Sequence, residues 1–320
     1  MPAMFPESLQ RRATLVAALI GLCYGLLCRY FFGNFQTSFG VMTVGFLVLT
    51  PFGIGFIVSF LSERAGRPNR VYLPLVTTAA MLMTAYLMLW EGLICLVMLA
   101  PLAVVTAILG GLAGGIAGKR FTGGGNTPIA CVAILPFLVA PVEHWTGPLM
   151  EVRTVETSID IQADPATVWR HIERVAPIRP EEEVYSWTQS IGFPRPIEAT
   201  LSKEGVGGVR HARFAGGLLF VETVTAWEPQ SRLVFEIRAD TANIPPTTLD
   251  EHVTIGGPYF DTLEGEYRIE PLAGGGVRLH LSSRHRLSTT FNFYAGLWTD
   301  AVMRDIQNNI LHVVRRRCER

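Results

Sequence analysis

The stretch SIDIQADPATVWRHI, residues 158 to 172, decides the fold of the second half of this chain. From Ser158 to Gln162 polar and apolar side chains alternate, the period of a strand with one buried face. Val155, Thr157, Ile159 and Ile161 share one face, and Glu156, Ser158, Asp160 and Gln162 the other. At Ala163-Asp164-Pro165 the period changes. Asp164 is placed to cap a helix, and Pro165 suits its first position because an N–H there has no intrahelical partner. Val168, Trp169 and Ile172 then form one apolar helical stripe. A strand running directly into a short capped helix is expected, immediately after the last hydrophobic run of the chain.

Working outward, the 320 residues carry a net charge of zero and a mean hydropathy of +0.31, which removes any electrostatic case for nucleic acid as a partner. The average hides two halves. Residues 1–150 hold charge only in short clusters, and residues 151–320 carry most of the Asp, Glu, Lys and Arg. A multi-span membrane domain over 1–150, of four to five helices, and a soluble domain over 151–320 are expected. Cys23, Cys28, Cys95 and Cys131 lie in apolar runs and Cys318 stands alone, so no disulfide framework or metal spacing is visible.

Crossing a bilayer takes about 20 mostly apolar helical residues, because the backbone must satisfy itself. Residues 13–32, 40–61, 73–90 and 92–118 qualify, and a fifth run, 128–145, is interrupted by Pro136 and Pro141. Arg11 and Arg12, then Arg64, Arg67 and Arg70, then Lys119 and Arg120 flank these runs and are expected in the cytoplasm. Five crossings put residues 151–320 outside the cytoplasm, and an interfacial fifth segment leaves them inside; five is the expectation carried forward. The first run lacks a small-x-small cleavage site, so an uncleaved anchor in an inner or plasma membrane is expected. Gly110, Gly111, Gly114, Gly115 and Gly118 have the spacing that lets helix backbones approach closely. Arg29, Glu91 and Glu143 fall near span ends, so no ion pathway is legible.

In the soluble half, strand-like runs cover 197–203, 208–215, 218–228, 232–239, 251–256, 259–270 and 277–287. The last two flank LAGGGV as a hairpin would, and a register with Glu270 facing Arg278 sets Glu264 opposite Arg284. An amphipathic helix from about Phe291 to Arg317 closes the chain.

This order, together with TSIDIQADPATVWRHI, GVGGVRHARFAGG, VETVTAWEPQSRLVFEI and FYAGLWTDAVMRDIQNNILHVV, resembles the START-like superfamily that includes the polyketide cyclases and dehydrases, over residues 152–318. The resemblance implies an α+β helix-grip fold, a curved antiparallel sheet around a long C-terminal helix, behind an all-α transmembrane bundle. It also implies an apolar cavity holding a lipid or another apolar molecule. The membrane half is foreign to the family pattern and argues against a freely diffusing carrier.

Several residues are candidates for that cavity. On the last helix, Trp298, Val302, Ile306, Asn309 and Val313 share one side with Asp305, and Leu279, Leu281 and Phe220 face inward by strand parity. A carboxylate and an amide in an apolar stripe need partners, either in a partly polar pocket or at backbone groups. His285 and Glu222 share inward parity, and with Asp305 they are the candidates for moving protons. The histidines, His171, His211, His252, His280 and His285, show no close metal-ligand spacing, and no G-x-S-x-G elbow is present, so no metal or cofactor is expected. Two loops, SIGFPRPIEA and NIPPTTLDEHVTIGGPYF, are candidate mouths, and Glu181–Glu183 is expected as a solvated face. Three readings follow: a membrane-anchored module binding an apolar or lipid-like ligand, a cyclase or dehydrase, and a membrane scaffold or sensor. Oligomeric state is not legible.

Overall fold

The computed structural model describes residues 7–36, 40–121, 125–240 and 255–320. Contacts divide the chain into two units, Met1–Pro148 and Leu149–Arg320.

The first unit is helical. It comprises α1 (Glu7–Asn34), a short α2 (Val44–Leu47) continuing into α3 (Leu49–Arg64), α4 (Tyr72–Leu87), α5 (Leu93–Arg120) and α6 (Thr127–Thr146). Four stretches are long and apolar enough to cross a membrane: Ser8–Asn34, Val44–Arg64, Leu93–Arg120 and Thr127–Thr146. The run interrupted by prolines is therefore a continuous 20-residue helix. The short member is α4 instead, where 73–90 was expected to span. Its 16 residues rise about 24 Å against a hydrocarbon core of about 30 Å.

Glycines set the contact between α3 and α5. A methyl group on Gly55 would overlap the Ala107 carbonyl, and one on Gly110 or Gly114 the carbonyl of Phe52 or Phe56. Several ionisable groups of this unit are partnered. Arg29 Nε lies 2.6 Å from Glu91, and Glu143 accepts from the Val44 and Gly45 amides at 2.9 and 2.8 Å, capping α2. Glu63 holds Arg70 at 3.0 Å and Lys119 at 3.8 Å, and Arg64 donates to the Gly125 carbonyl at 3.1 Å. The ends of α3 and α5 and the start of α6 thus share one basic end of the bundle. The Glu143 contact puts the far end of α6 beside the start of α2, at the other end.

The second unit contains a seven-stranded antiparallel sheet in the order β1-β7-β6-β5-β4-β3-β2. Its strands are β1 (Leu149–Ile161), β2 (Pro196–Leu201), β3 (Val209–Phe214), β4 (Leu219–Glu228), β5 (Arg232–Asp240), β6 (Phe260–Pro271) and β7 (Val277–Thr289). Between β1 and β2 lie α7 (Pro165–Glu173), a 3-10 turn at Pro180–Glu182 and α8 (Trp187–Ser190); α9 (Asn292–Cys318) ends the chain.

The opening stretch forms as its residues dictate. Asp164 accepts from the Thr167 amide at 2.9 Å and from its hydroxyl at 2.8 Å, and the hydroxyl bond, aided by the amide, lowers its carboxyl pKa. Val168, Trp169 and Ile172 are buried against Ile161, Leu233, Ile269, Leu279 and Leu311, where α7 and α9 close on the sheet. Trp169 and Trp227 meet in a T-shaped contact with 5.1 Å between centroids. The long helix packs along β1 and β7, completing a helix-grip fold.

The hairpin register pairs Glu270 with Arg278 and Glu264 with Arg284, the latter at 3.4 Å. Because β7 lies between β6 and β1, Arg278 has a carboxylate on either side and binds Asp160 at 2.7 Å, leaving Glu270 to His280 at 3.1 Å. The strand expected at 251–256, His252 and most of the NIPPTTLDEHVTIGGPYF loop lie outside the described residues; Ile255 makes an isolated bridge with Phe260.

Candidate functional site

Strand alternation turns Arg210, Ala212 and Phe214 of β3, and Phe220 and Glu222 of β4, toward α9. Phe235 and Ile237 of β5, Gly265 and Tyr267 of β6 and Leu281 of β7 continue this wall, and Val302, Ile306 and Ile310 of α9 face it. They line a partly open cavity of about 130 Å³ whose surface is mostly apolar. Phe193 and Pro196 also line it, so the SIGFPRPIEA loop does form part of its rim.

Polar side chains interrupt this lining, foremost an ion pair. Arg210 and Glu222 are direct cross-strand neighbours, both buried, and their side chains form an ion pair. The Arg210 guanidinium also lies over the Phe235 and Tyr267 rings, at 5.4 and 5.9 Å. Removing two such charges from water is tolerable only when they neutralise each other. Burial pushes the Glu222 carboxyl above its ordinary pKa, against the pull of Arg210. Burial likewise keeps the Tyr267 phenol protonated. Gln307 and Ser283, also on the wall, satisfy each other at 2.9 Å, and Gln307 bonds the Val155 carbonyl and the Thr157 hydroxyl as well.

Of the residues expected at the cavity, Phe220, Glu222, Leu281, Val302 and Ile306 line it, and Trp298, Asp305, Asn309, Leu279 and His285 do not. Asp305 accepts from the Thr188 hydroxyl and amide at 2.7 and 3.2 Å and from Ser186, fastening α8 to α9. Asn309 donates to the Val184 carbonyl at 3.2 Å. These two polar residues meet neighbouring chain rather than a polar pocket. Trp298 packs on Trp187, and Leu279 belongs to the core under α7. His285 is inward and wholly buried but sits beside Phe260, with Nε2 3.3 Å from the Thr299 hydroxyl and 3.8 Å from Asp300. Burial lowers its pKa. Among the described residues no cluster of His, Cys, Asp and Glu could hold a metal ion.

The residues sequence reading missed are Arg210, Tyr267 and Arg317. Arg210 had a usable signal, since it shares parity with Ala212 and Phe214 and pairs in register with Glu222. Glu182 corrects the expectation of a solvated acidic face. It is 1% exposed and bound by Arg179 at 3.1 Å and Arg317 at 2.8 Å. Arg317, a cavity-wall residue, also donates to the Ala176 and Pro177 carbonyls. The Arg317 hydrogen bonds, aided by Arg179, hold the Glu182 carboxyl well below the usual carboxylate range. A depressed pKa gives stability that is fully present above the unfolded value of about 4.3 and is lost as pH falls toward the native one. Unfolding midpoints measured from pH 6 down to pH 3 should fall for the native chain and fall less for Glu182→Gln.

The family profile described as polyketide cyclase / dehydrase and lipid transport matches residues 152–319. No curated protein matches the chain. Among solved structures, a Mesorhizobium loti protein is 18% identical, with a TM-score of 0.30, over 51% of this chain and 98% of its own. The Aha1 dimer from Colwellia psychrerythraea is 17% identical, with a TM-score of 0.28, over 52% of this chain and 96% of its own. The di-domain ARO/CYC protein BexL from the BE-7585A biosynthetic pathway is 15% identical, with a TM-score of 0.34, over 66% of this chain and 62% of its own. Through residues 152–319, more than half its length, the chain belongs to the polyketide cyclase/dehydrase and lipid-transport family.

Proposed function

We propose that this protein is held in a membrane by its N-terminal helices and that its family domain binds a small apolar molecule in the cavity between sheet and α9. The observation that carries the reading is the cavity itself, walled by Ala212, Phe214, Phe220, Phe235 and Ile306 and large enough to accept a ligand. A cavity of this kind strips water from an apolar molecule without a nucleophile. At about 130 Å³ it matches a single ring, since apolar cavities of about 150 Å³ take up benzene.

Membrane anchoring is supported by four helices of sufficient length and apolarity. The basic clusters share one end of the bundle with the start of α6, so the positive-inside rule sends the end of α6, and the domain after it, away from the cytoplasm. Trp145, exposed in the last turn of α6, suits the interface there.

A second reading is favoured by Glu222. A carboxyl whose pKa is raised by burial, on the wall of an apolar cavity, can hold a proton for a reaction of the cyclase or dehydrase type.

Fluorine NMR of fluorobenzene added to the full-length protein in nanodiscs tests the binding reading. Ala212→Leu, which fills the cavity, supplies the baseline for partition into lipid. Line broadening present in the native chain and lost in Ala212→Leu is expected; equal broadening in both would refute cavity binding.

A further inference from the structure

We infer that the family domain carries a docking surface for lipid: the first residues of β1 and the first two turns of α9 form an apolar patch that settles into the headgroup layer of the leaflet from which α6 emerges. This goes beyond cavity binding and rests on the membrane-anchoring reading.

Three observations converge. First, five large apolar side chains stand exposed at one end of the domain. Leu149, Met150 and Val152 of β1 are 69%, 73% and 50% exposed, and Phe293 and Leu297, one helical turn apart on α9, 76% and 67%. The fold brings these segments together. Asn292 donates to the Leu149 carbonyl at 2.7 Å, and a methyl group on Gly296 would lie 2.9 Å from the Arg153 guanidinium carbon, so the start of α9 runs beside the start of β1. Single exposed apolar residues are ordinary, whereas a group of them marks an interaction surface. Second, chain length decides what covers it. Only Gly147 and Pro148 separate α6 from β1, so the Cα atoms of Thr146 and Leu149 are at most about 11 Å apart. The headgroup layer is itself about 5–7 Å deep on each side of a bilayer. With α6 crossing the membrane, the patch therefore begins within or beside that layer. Third, the charges within these segments, Glu151, Arg153 and Asp300, are matched: Arg153 binds Asp300 at 2.7 Å and also pairs with Glu151. The patch thus meets the interface without an uncompensated charge.

The test places p-benzoylphenylalanine at one position at a time in the full-length protein, in nanodiscs of dioleoylphosphatidylcholine, and identifies the photoadducts by mass spectrometry. The positions are Phe293, Leu297, Trp145 at the end of α6, and Val206 in the turn between β2 and β3, which the antiparallel order puts at the opposite end of the sheet. Lipid adducts are expected at Trp145, Phe293 and Leu297, each at several times the Val206 yield. Adding Leu297→Glu to the protein labelled at Phe293 should cut its lipid yield several-fold, because a charge disfavours the interface and the exposed site leaves folding intact. Lipid adducts at Trp145 alone would overturn the docking surface and leave membrane anchoring standing. Adducts from Phe293 or Leu297 to the chain's own helices or to a second copy, in place of lipid, would overturn it by naming another occupant. A Phe293 yield unchanged by Leu297→Glu would mean that the probe alone seeks lipid, which also overturns it. No lipid adduct at Trp145 would remove the anchoring reading, and the docking surface with it.

Discussion

Arg210→Met is expected to destabilise the family domain by about 3–5 kcal/mol, because it leaves the Glu222 carboxylate buried without its counter-charge. The double variant Arg210→Met/Glu222→Leu should recover most of that loss, since replacing a whole buried pair by apolar groups is often neutral or favourable. Urea unfolding of the full-length protein in detergent, followed by near-ultraviolet circular dichroism, measures both. The domain's total stability is expected to be of order 5–15 kcal/mol, so the single change alone removes a large part of it. A single variant as stable as the double would mean that the pair is not desolvated, and the cavity wall would have to be redrawn. The non-additivity matters more than either value, for it separates a coupled pair from two independent side chains.

Gly114→Leu is expected to cost the membrane unit about 3 kcal/mol, the upper end of ordinary overpacking. The reason is local. A side chain at this position meets the Phe56 carbonyl, which belongs to the backbone of α3 and cannot rotate aside. Ile116→Leu, two residues on and facing outward, should be nearly neutral. The fraction of detergent-solubilised protein still monodisperse after heating distinguishes them, and equal curves would deny the close approach of α3 and α5. Small residues at such spacing drive association where the hydrophobic effect between helices is absent.

Local signals were legible and curvature was not. The junction of β1 and α7 follows from a period change, a capping Asp and a proline at the first helical position, all carried by adjacent residues. The β6–β7 register followed from LAGGGV and the charges of Glu264 and Arg284. Strand parity correctly turned Phe220, Glu222, Leu281 and His285 inward. It could not tell which inward residues reach the cavity, because that depends on where α9 crosses the sheet. On α9 the helical period grouped Trp298, Asp305 and Asn309 with Val302 and Ile306. At about 100° per residue they lie roughly 20–60° around the helix from Val302 and roughly 60–100° from Ile306, enough to face α8 and the Val184 segment instead. That segment was an unassigned connection between prolines, so nothing local announced that it would cover this flank. Glu182 was misplaced for a related reason: its partner Arg317 is 135 residues away. In the membrane unit, hydropathy found the runs, but length decided differently from proline content. The helix with two prolines is 20 residues long and the uninterrupted α4 only 16.

The most direct test of the central claim is mass spectrometry of small molecules extracted from full-length protein purified from its membrane, compared with Ala212→Leu prepared identically. The account predicts a small apolar molecule enriched in the native protein and absent from the variant. Identical extracts from the two proteins would contradict it.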